Sequence, residues 1–138
     1  MISLIPILIL EDNDIDQEIV LRAFKKVELK NPVFFATDGA EALTLLHGTN
    51  TIPAITPCII MTDLNLPKLD GLGFIKEIRE DNFLKQNIIF ILSTSARHQD
   101  VKQGYDLNIA GYFLKDDIKE IALLLKNYLS LNQFINEN

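Results

Sequence analysis

The chain has a single cysteine, no tryptophan, few prolines and a shortage of positive charge. It also has no apolar stretch near the length of a bilayer span. Each absence closes off a class of protein. Cys58 cannot form an internal disulfide, and within an apolar run it reads as a small buried hydrophobe, not a redox group. Thirteen basic residues against 19 acidic ones leave a formal charge of −6. Clustered lysine and arginine, which a nucleic-acid surface requires, are missing. Residues 1–10 are apolar, but they carry no basic leader and fall short of the roughly 20 residues that cross a membrane. They read as a first strand. The expected location is the cytoplasm, with neither nucleic acid nor membrane as a partner.

What is present is regular. The 138 residues, 48% of them hydrophobic, suffice for one domain with a real core. That domain is expected over residues 1–138, with its core over about 6–131 and a polar tail that frays. Short apolar runs alternate with amphipathic segments, the signature of an α/β fold with a parallel sheet. Five such repeats are legible. Strands are expected at residues 7–10, 33–37, 58–63, 88–93 and 111–114. Helices are expected at 14–27, 40–47, 72–79, 97–106 and 118–131. Ile15, Ile19, Leu21 or Arg22, and Phe24 or Lys26 mark the expected apolar stripe of the first helix. Ile121, Leu124, Leu125, Tyr128 and Leu129 mark that of the fifth. Asp117 with Glu120 reads as a capping box. Gly104 argues against the fourth helix, since an internal glycine costs about 1 kcal/mol.

Chemistry is concentrated where the strands stop. Parallel sheets place their sites just beyond the carboxyl ends of the strands, and four runs here end in polar groups. The first stops at Glu11-Asp12, the third at Asp63, the fourth at Ser93-Thr94 and the fifth at Lys115. Crowding Glu11, Asp12 and Asp63 is unfavourable unless a cation neutralises them. Mg²⁺ suits such a site, being held by hard oxygens from one or two carboxylates, waters and a phosphate. The Asn65 carbonyl completes its shell. Asp63 is then placed to accept a phosphoryl group as an acyl phosphate, with Lys115, Ser93 and backbone N–H groups around the transferred oxygens.

The motifs ILILEDN, MTDLNLPKLDG, FILSTSA and GYFLK, in this order, resemble the receiver domains of two-component response regulators. Thirty positions separate Asp63 from Ser93, and 22 separate Ser93 from Lys115. The resemblance covers about residues 6–131. It looks closest to stand-alone receivers that serve hybrid or phytochrome-type histidine kinases. It implies a flavodoxin-like (βα)5 doubly wound sandwich with sheet order 2-1-3-4-5. It implies that Asp63 accepts phosphate from a kinase phosphohistidine, that Glu11, Asp12, Asp63 and the Asn65 carbonyl bind Mg²⁺, and that Ser93 and Lys115 contact the phosphoryl group. Tyr112 matches an aromatic that swings inward with Ser93, and the fourth helix, fifth strand and fifth helix match the output face. A histidine phosphotransfer protein is a further expected partner. A phosphorylation-dependent homodimer through the fourth and fifth helices is also expected.

One departure stands out. The family usually has proline in a cis bond after the lysine, whereas Asp116 follows Lys115 here. A non-proline cis bond costs about 2.5–4 kcal/mol, so a trans bond and a reshaped loop are expected.

Duller readings stand beside these. Asp12 could cap the first helix, Ser93 could be a strand-terminal hydroxyl, and Tyr112 could serve packing alone. His47 and His98 are single and separated, which suits solvated residues and no metal site. Gly71 and Gly73 make no phosphate loop, and Gly71 reads as turn chemistry. Leu129, Leu131, Phe134 and Ile135 either carry the fifth helix into a dimer contact or close the core. Two rival functions remain: a receiver-like binding module that is never phosphorylated, and a small Mg²⁺-dependent aspartyl phosphatase. The second needs a general acid two residues after its nucleophile, where this chain has Asn65.

Overall fold

The computed structural model describes residues 4–131, so Phe134 and Ile135 lie outside the described residues. Five strands, β1 (Ile7–Leu10), β2 (Val33–Ala36), β3 (Ile59–Thr62), β4 (Ile88–Ser93) and β5 (Gly111–Leu114), form one sheet in the order β2-β1-β3-β4-β5. All four pairings are parallel. Between and after the strands run α1 (Asp14–Lys26), α2 (Gly39–His47), α3 (Gly71–Glu80), α4 (His98–Asp106) and α5 (Ile118–Leu131).

Strand alternation divides the core in two. Leu8, Leu10, Ile60, Ile89 and Ile91 point to the face covered by α2 and α3, where Ala42, Leu46, Phe74, Ile75 and Ile78 are buried. Ile7, Ile9, Ile59, Met61 and Phe90 point to the other face, covered by α1 and α5. Both faces are covered, which is why the strands read as continuous apolar runs. Cys58 is buried, as the sequence suggests, and burial pushes its thiol up to about 12.

The register aligns the strand ends. Leu10 pairs with both Ala36 and Thr62, Thr62 pairs with Ile91, and Ser93 pairs with Leu114. Glu11 and Asp63 therefore leave adjacent strands at the same height, and Ser93 and Lys115 leave the next two close by.

Several local expectations are corrected. The buried stripe of α1 is Val20, Ala23 and Phe24, whereas Ile15, Ile19 and Leu21 are exposed. Asn13, not Asp12, caps α1, its side chain accepting the Asp16 N–H at 3.0 Å. Asp38 and Asp70 cap α2 and α3 in the same way. The capping box at α5 does not form. A 3-10 turn, Lys115–Asp117, runs directly into the helix, and neither Asp117 nor Glu120 makes a side-chain hydrogen bond among the described residues. On α5 the buried residues are Ile118, Ile121, Ala122 and Leu125, while Leu124 faces solvent. Tyr128 and Leu129 pack against the core from its edge. Gly104 does lie inside α4. A Cβ there would sit 2.8 Å from Ile109 Cδ1 and 2.9 Å from Ile91 Cδ1, so its absence lets the helix lie close to β4.

The end of α1 carries a testable strain. The Leu29 N–H bonds to the Phe24 carbonyl and the Glu28 N–H to the Lys25 carbonyl, a Schellman pair that places Glu28 at φ 60°. Glycine is favoured there because an L side chain in that conformation costs roughly 1–2 kcal/mol. Glu28→Gly is expected to raise stability by about 1 kcal/mol in urea denaturation followed by far-UV circular dichroism, less a small entropic loss.

Candidate functional site

The polar rim closes around one ammonium. Lys115, emerging from β5, ion-pairs with Glu11, with Asp63 Oδ2 at 2.7 Å and with Asp16 Oδ2 at 3.0 Å. Glu11 and Asp63 are buried and the lysine is mostly so. Burial works against the Lys115 charge, but its hydrogen bonds to Asp63, Glu11 and Asp16 outweigh that and hold its pKa above the ordinary lysine range. Glu11 shows the opposite balance. Burial raises its carboxyl, and Lys115 and the Asn13 N–H offset this only in part. Three carboxylates thus face one ammonium, and the pocket carries an excess of negative charge.

The backbone holds these groups in place. The Asn65 N–H donates to Asp63 Oδ1 at 3.0 Å, fixing the carboxylate over the turn that follows β3. That turn is latched to α3, since the Gly71 N–H donates to the Leu64 carbonyl at 2.9 Å. Gln17 Nε2 donates to the Glu11 carbonyl at 2.8 Å, and the Asn13 N–H donates to Glu11 Oε2 at 3.1 Å. The start of α1 is thus tied to the end of β1.

On the other side of the pocket, Ser93 is buried at the end of β4. Its Oγ accepts the Ser95 N–H at 3.3 Å, while the Tyr112 hydroxyl donates to the Ser95 carbonyl at 2.7 Å. Ser93 and Tyr112 both engage Ser95 of the β4–α4 loop, and the Ser93 side chain also acts directly on the Tyr112 phenol. Burial raises the Tyr112 phenol above its usual range.

The structure brings Glu11, Asp63 and Lys115 into direct contact as the sequence pattern suggests. Asp12 is exposed and makes no hydrogen bond or ion pair among the described residues. Among those residues, no three acidic, histidine or cysteine side chains already form a metal cage. Instead the ammonium sits between the carboxylates. The donor set nevertheless suits Mg²⁺, which takes hard oxygens: the buried carboxylates of Glu11 and Asp63 with the exposed Asp12 next in the chain to Glu11. The Lys115-Asp116 bond is trans, as expected, and Thr56-Pro57 is the cis peptide among the described residues.

Two features escaped the sequence. Asp16 reads there as an ordinary first-turn acid, and only the fold brings it to Lys115. His47 is not simply solvated, because its Nε2 lies 2.8 Å from Asp81 Oδ2 and its ring stacks on Phe83. His98 is exposed as expected.

Residues 7–126 match the response regulator receiver domain family, and the chain belongs to it. The response regulator Rcp1 of Synechocystis sp. is 31% identical over 122 residues, covering 87% of this chain and 83% of that protein. The Mn²⁺-bound form of Rcp1 matches with a TM-score of 0.80 at 26% identity, over 95% of this chain and 98% of that one. A two-component response regulator from Legionella pneumophila matches with a TM-score of 0.83 at 32% identity, over 93% and 99% of the two chains. The phosphorylated cyanobacterial phytochrome response regulator RcpA matches with a TM-score of 0.75 at 29% identity, over 94% of each chain. The chain is therefore a two-component signalling receiver with the flavodoxin-like fold, and phosphorylation-based switching is the norm of its family.

Proposed function

We propose that this chain acts as a single-domain response regulator in which Asp63 takes a phosphoryl group from the phosphohistidine of a sensor kinase. The observation that carries the reading is the Lys115 ammonium bridging buried Glu11 and Asp63 at the rim of the sheet. In the transfer, an Asp63 carboxylate oxygen attacks phosphorus in line. The new O–P bond forms as the N–P bond breaks, and the imidazole nitrogen keeps the electron pair. The Asn65 N–H orients the carboxylate, leaving its other oxygen beside Lys115. The Lys115 ammonium and the Ser93 hydroxyl are the donors for the phosphoryl oxygens. Mg²⁺, held by Glu11, Asp12, Asp63 and the Asn65 carbonyl, supplies the remaining charge neutralisation when bound. Hydrolysis of the acyl phosphate on the same residues resets the protein, so no external substrate is turned over.

The phosphorylated state is read out through Ser93, Ser95 and Tyr112. When the Ser93 hydroxyl turns to the phosphoryl group it releases the Ser95 N–H, and the Tyr112–Ser95 bond passes that change to β5 and α4. A two-state element biased by local charge is the general logic of such switches. The output face is α4, β5 and α5, and a homodimer through α4 and α5 belongs to this reading, with Tyr105, Leu123 and Leu124 as exposed apolar surface. Ile19, exposed on α1 at the edge of the cavity that Glu11 and Lys115 line, and Ile15, exposed one turn before it, are the apolar surface over which the donor protein approaches. The kinase in this reading is of the phytochrome or hybrid type, the first by likeness to the cyanobacterial phytochrome response regulator RcpA, and a histidine phosphotransfer protein is a second partner. Among the described residues no helix is long and apolar enough to cross a membrane, which fits a cytoplasmic role. The phosphatase alternative is disfavoured by Asn65, which is exposed and carries no acid.

Intact-mass spectrometry after incubation with acetyl phosphate tests the reading. One phosphoryl adduct is expected that requires both Mg²⁺ and Asp63 and is absent from Asp63→Asn. An adduct that survives in Asp63→Asn at wild-type yield contradicts it.

A further inference from the structure

We propose that Asp16 is a positioning residue that takes up the Lys115 ammonium when a divalent cation displaces it from Glu11 and Asp63, holding it beside the pocket until the phosphoryl oxygens arrive. This rests on the function proposed above. Two of the three carboxylates around Lys115 are also the acids that would hold the cation. Two positive charges cannot share the same oxygens without strong repulsion in a partly desolvated pocket. The ammonium must therefore move when the cation binds. Lys115 is only 16% exposed, and a mostly buried ammonium without a partner is costly. Asp16 Oδ2, 3.0 Å from Nζ, is the acceptor that remains.

Three further observations fit that role. Asp16 is fixed while the lysine is not: the cap at Asn13 holds the Asp16 N–H, and Gln17 binds the Glu11 carbonyl. Lysine, by contrast, carries its charge on a flexible four-carbon stem. There is also room for the movement, because Glu11, Asp16, Lys115 and Asp116 line a cavity of about 170 Å³ between α1 and the start of α5. Finally, the usual reason for an acid in a first turn, the helix dipole, does not account for the contact. Asp14 stands in the same turn, exposed and with no hydrogen bond or ion pair among the described residues, whereas Asp16 reaches across the fold to Lys115.

The test is Mn²⁺ affinity by isothermal titration calorimetry on wild type, Asp16→Asn, Lys115→Met and the double variant. Asp16 is partly exposed and its substitution spares the core, and far-UV circular dichroism checks the fold of each variant. Asp16→Asn is expected to weaken Mn²⁺ about fivefold to tenfold in the wild-type background and less than about twofold when Lys115 is methionine. Asp16→Glu is expected to keep most of the affinity. An equal loss in both backgrounds means that Asp16 acts by its charge alone and overturns this inference while leaving the proposed function intact. No loss in either background overturns it as well. Wild type that binds no Mn²⁺ or Mg²⁺ overturns the metal requirement of the proposed function, and this inference with it.

Discussion

Gly71→Ala is expected to destabilise the protein by about 3 kcal/mol or more and to disable phosphorylation at Asp63. A Cβ at position 71 would lie 2.2 Å from the Asp63 carbonyl oxygen and 2.8 Å from Leu64 Cα. Both obstacles are backbone, so no rotamer change relieves them. To make room, the first turn of α3 must part from the end of β3, which breaks the bond from the Gly71 N–H to the Leu64 carbonyl. The turn that aims the Asn65 N–H at Asp63 moves with it. Urea denaturation by far-UV circular dichroism reads the stability loss, and the yield of adduct from acetyl phosphate reads the site. A destabilisation under about 1 kcal/mol with full phosphorylation would show that the latch is slack. The sequence suggests turn chemistry at Gly71, but the structure gives a different reason, since its φ is not positive and close approach of two chain segments is what excludes a side chain.

The second large effect is expected at the opposite pole. Arg79→Ala should cost about 2–4 kcal/mol, with little direct change at Asp63. The guanidinium donates to the carbonyls of Leu107 at 2.8 Å, Lys85 at 2.6 Å, Asn87 at 2.9 Å and Asn108 at 2.9 Å. Burial lowers its pKa, and no carboxylate pairs with it among the described residues. One side chain thus binds the end of α3 to the segment entering β4 and to the turn between α4 and β5. The link extends further, because the Asn87 side-chain oxygen accepts the Cys58 N–H at 2.9 Å at the start of β3. Removing the fork leaves four carbonyls to find water or remain unpaired. Arg79→Lys is expected to recover less than half of the loss, since one ammonium cannot span the positions of a planar fork. The same urea titration measures both variants, and near-wild-type stability in Arg79→Ala would contradict the clamp.

Particular residues show where sequence reading succeeds and where it stops. Glu11, Asp63, Ser93 and Lys115 are legible because each ends an apolar run, and a parallel sheet brings all such ends to one rim. The sheet order and the fold follow from the family resemblance, and the observed topology agrees with both. Ile15 and Ile19 mislead because helical spacing alone fits more than one stripe. The cap at Asn13 and the Gln17–Glu11 bond fix the rotation of α1, so that Val20, Ala23 and Phe24 face the sheet instead. The contacts of Asp16 with Lys115, Arg79 with Leu107, and His47 with Asp81 are not legible at all. Each joins residues far apart in the chain, and no periodicity records which surface side chains the fold will bring together. Asp116 lies between these cases. Its identity excludes the proline of the family, and the trans bond follows, but the 3-10 turn that replaces a capping box at α5 depends on how β5 delivers the chain.

The measurement that bears most directly on Asp63 as phosphoacceptor is borohydride trapping after phosphorylation with acetyl phosphate and Mg²⁺, followed by peptide mass spectrometry. Borohydride reduces an acyl phosphate to the alcohol, so the modified residue is marked chemically. Reduction at Asp63 alone, lost when Mg²⁺ is withheld, is the predicted result. Reduction at another carboxylate, or none in protein that carries the phosphoryl adduct, would contradict the assignment of Asp63.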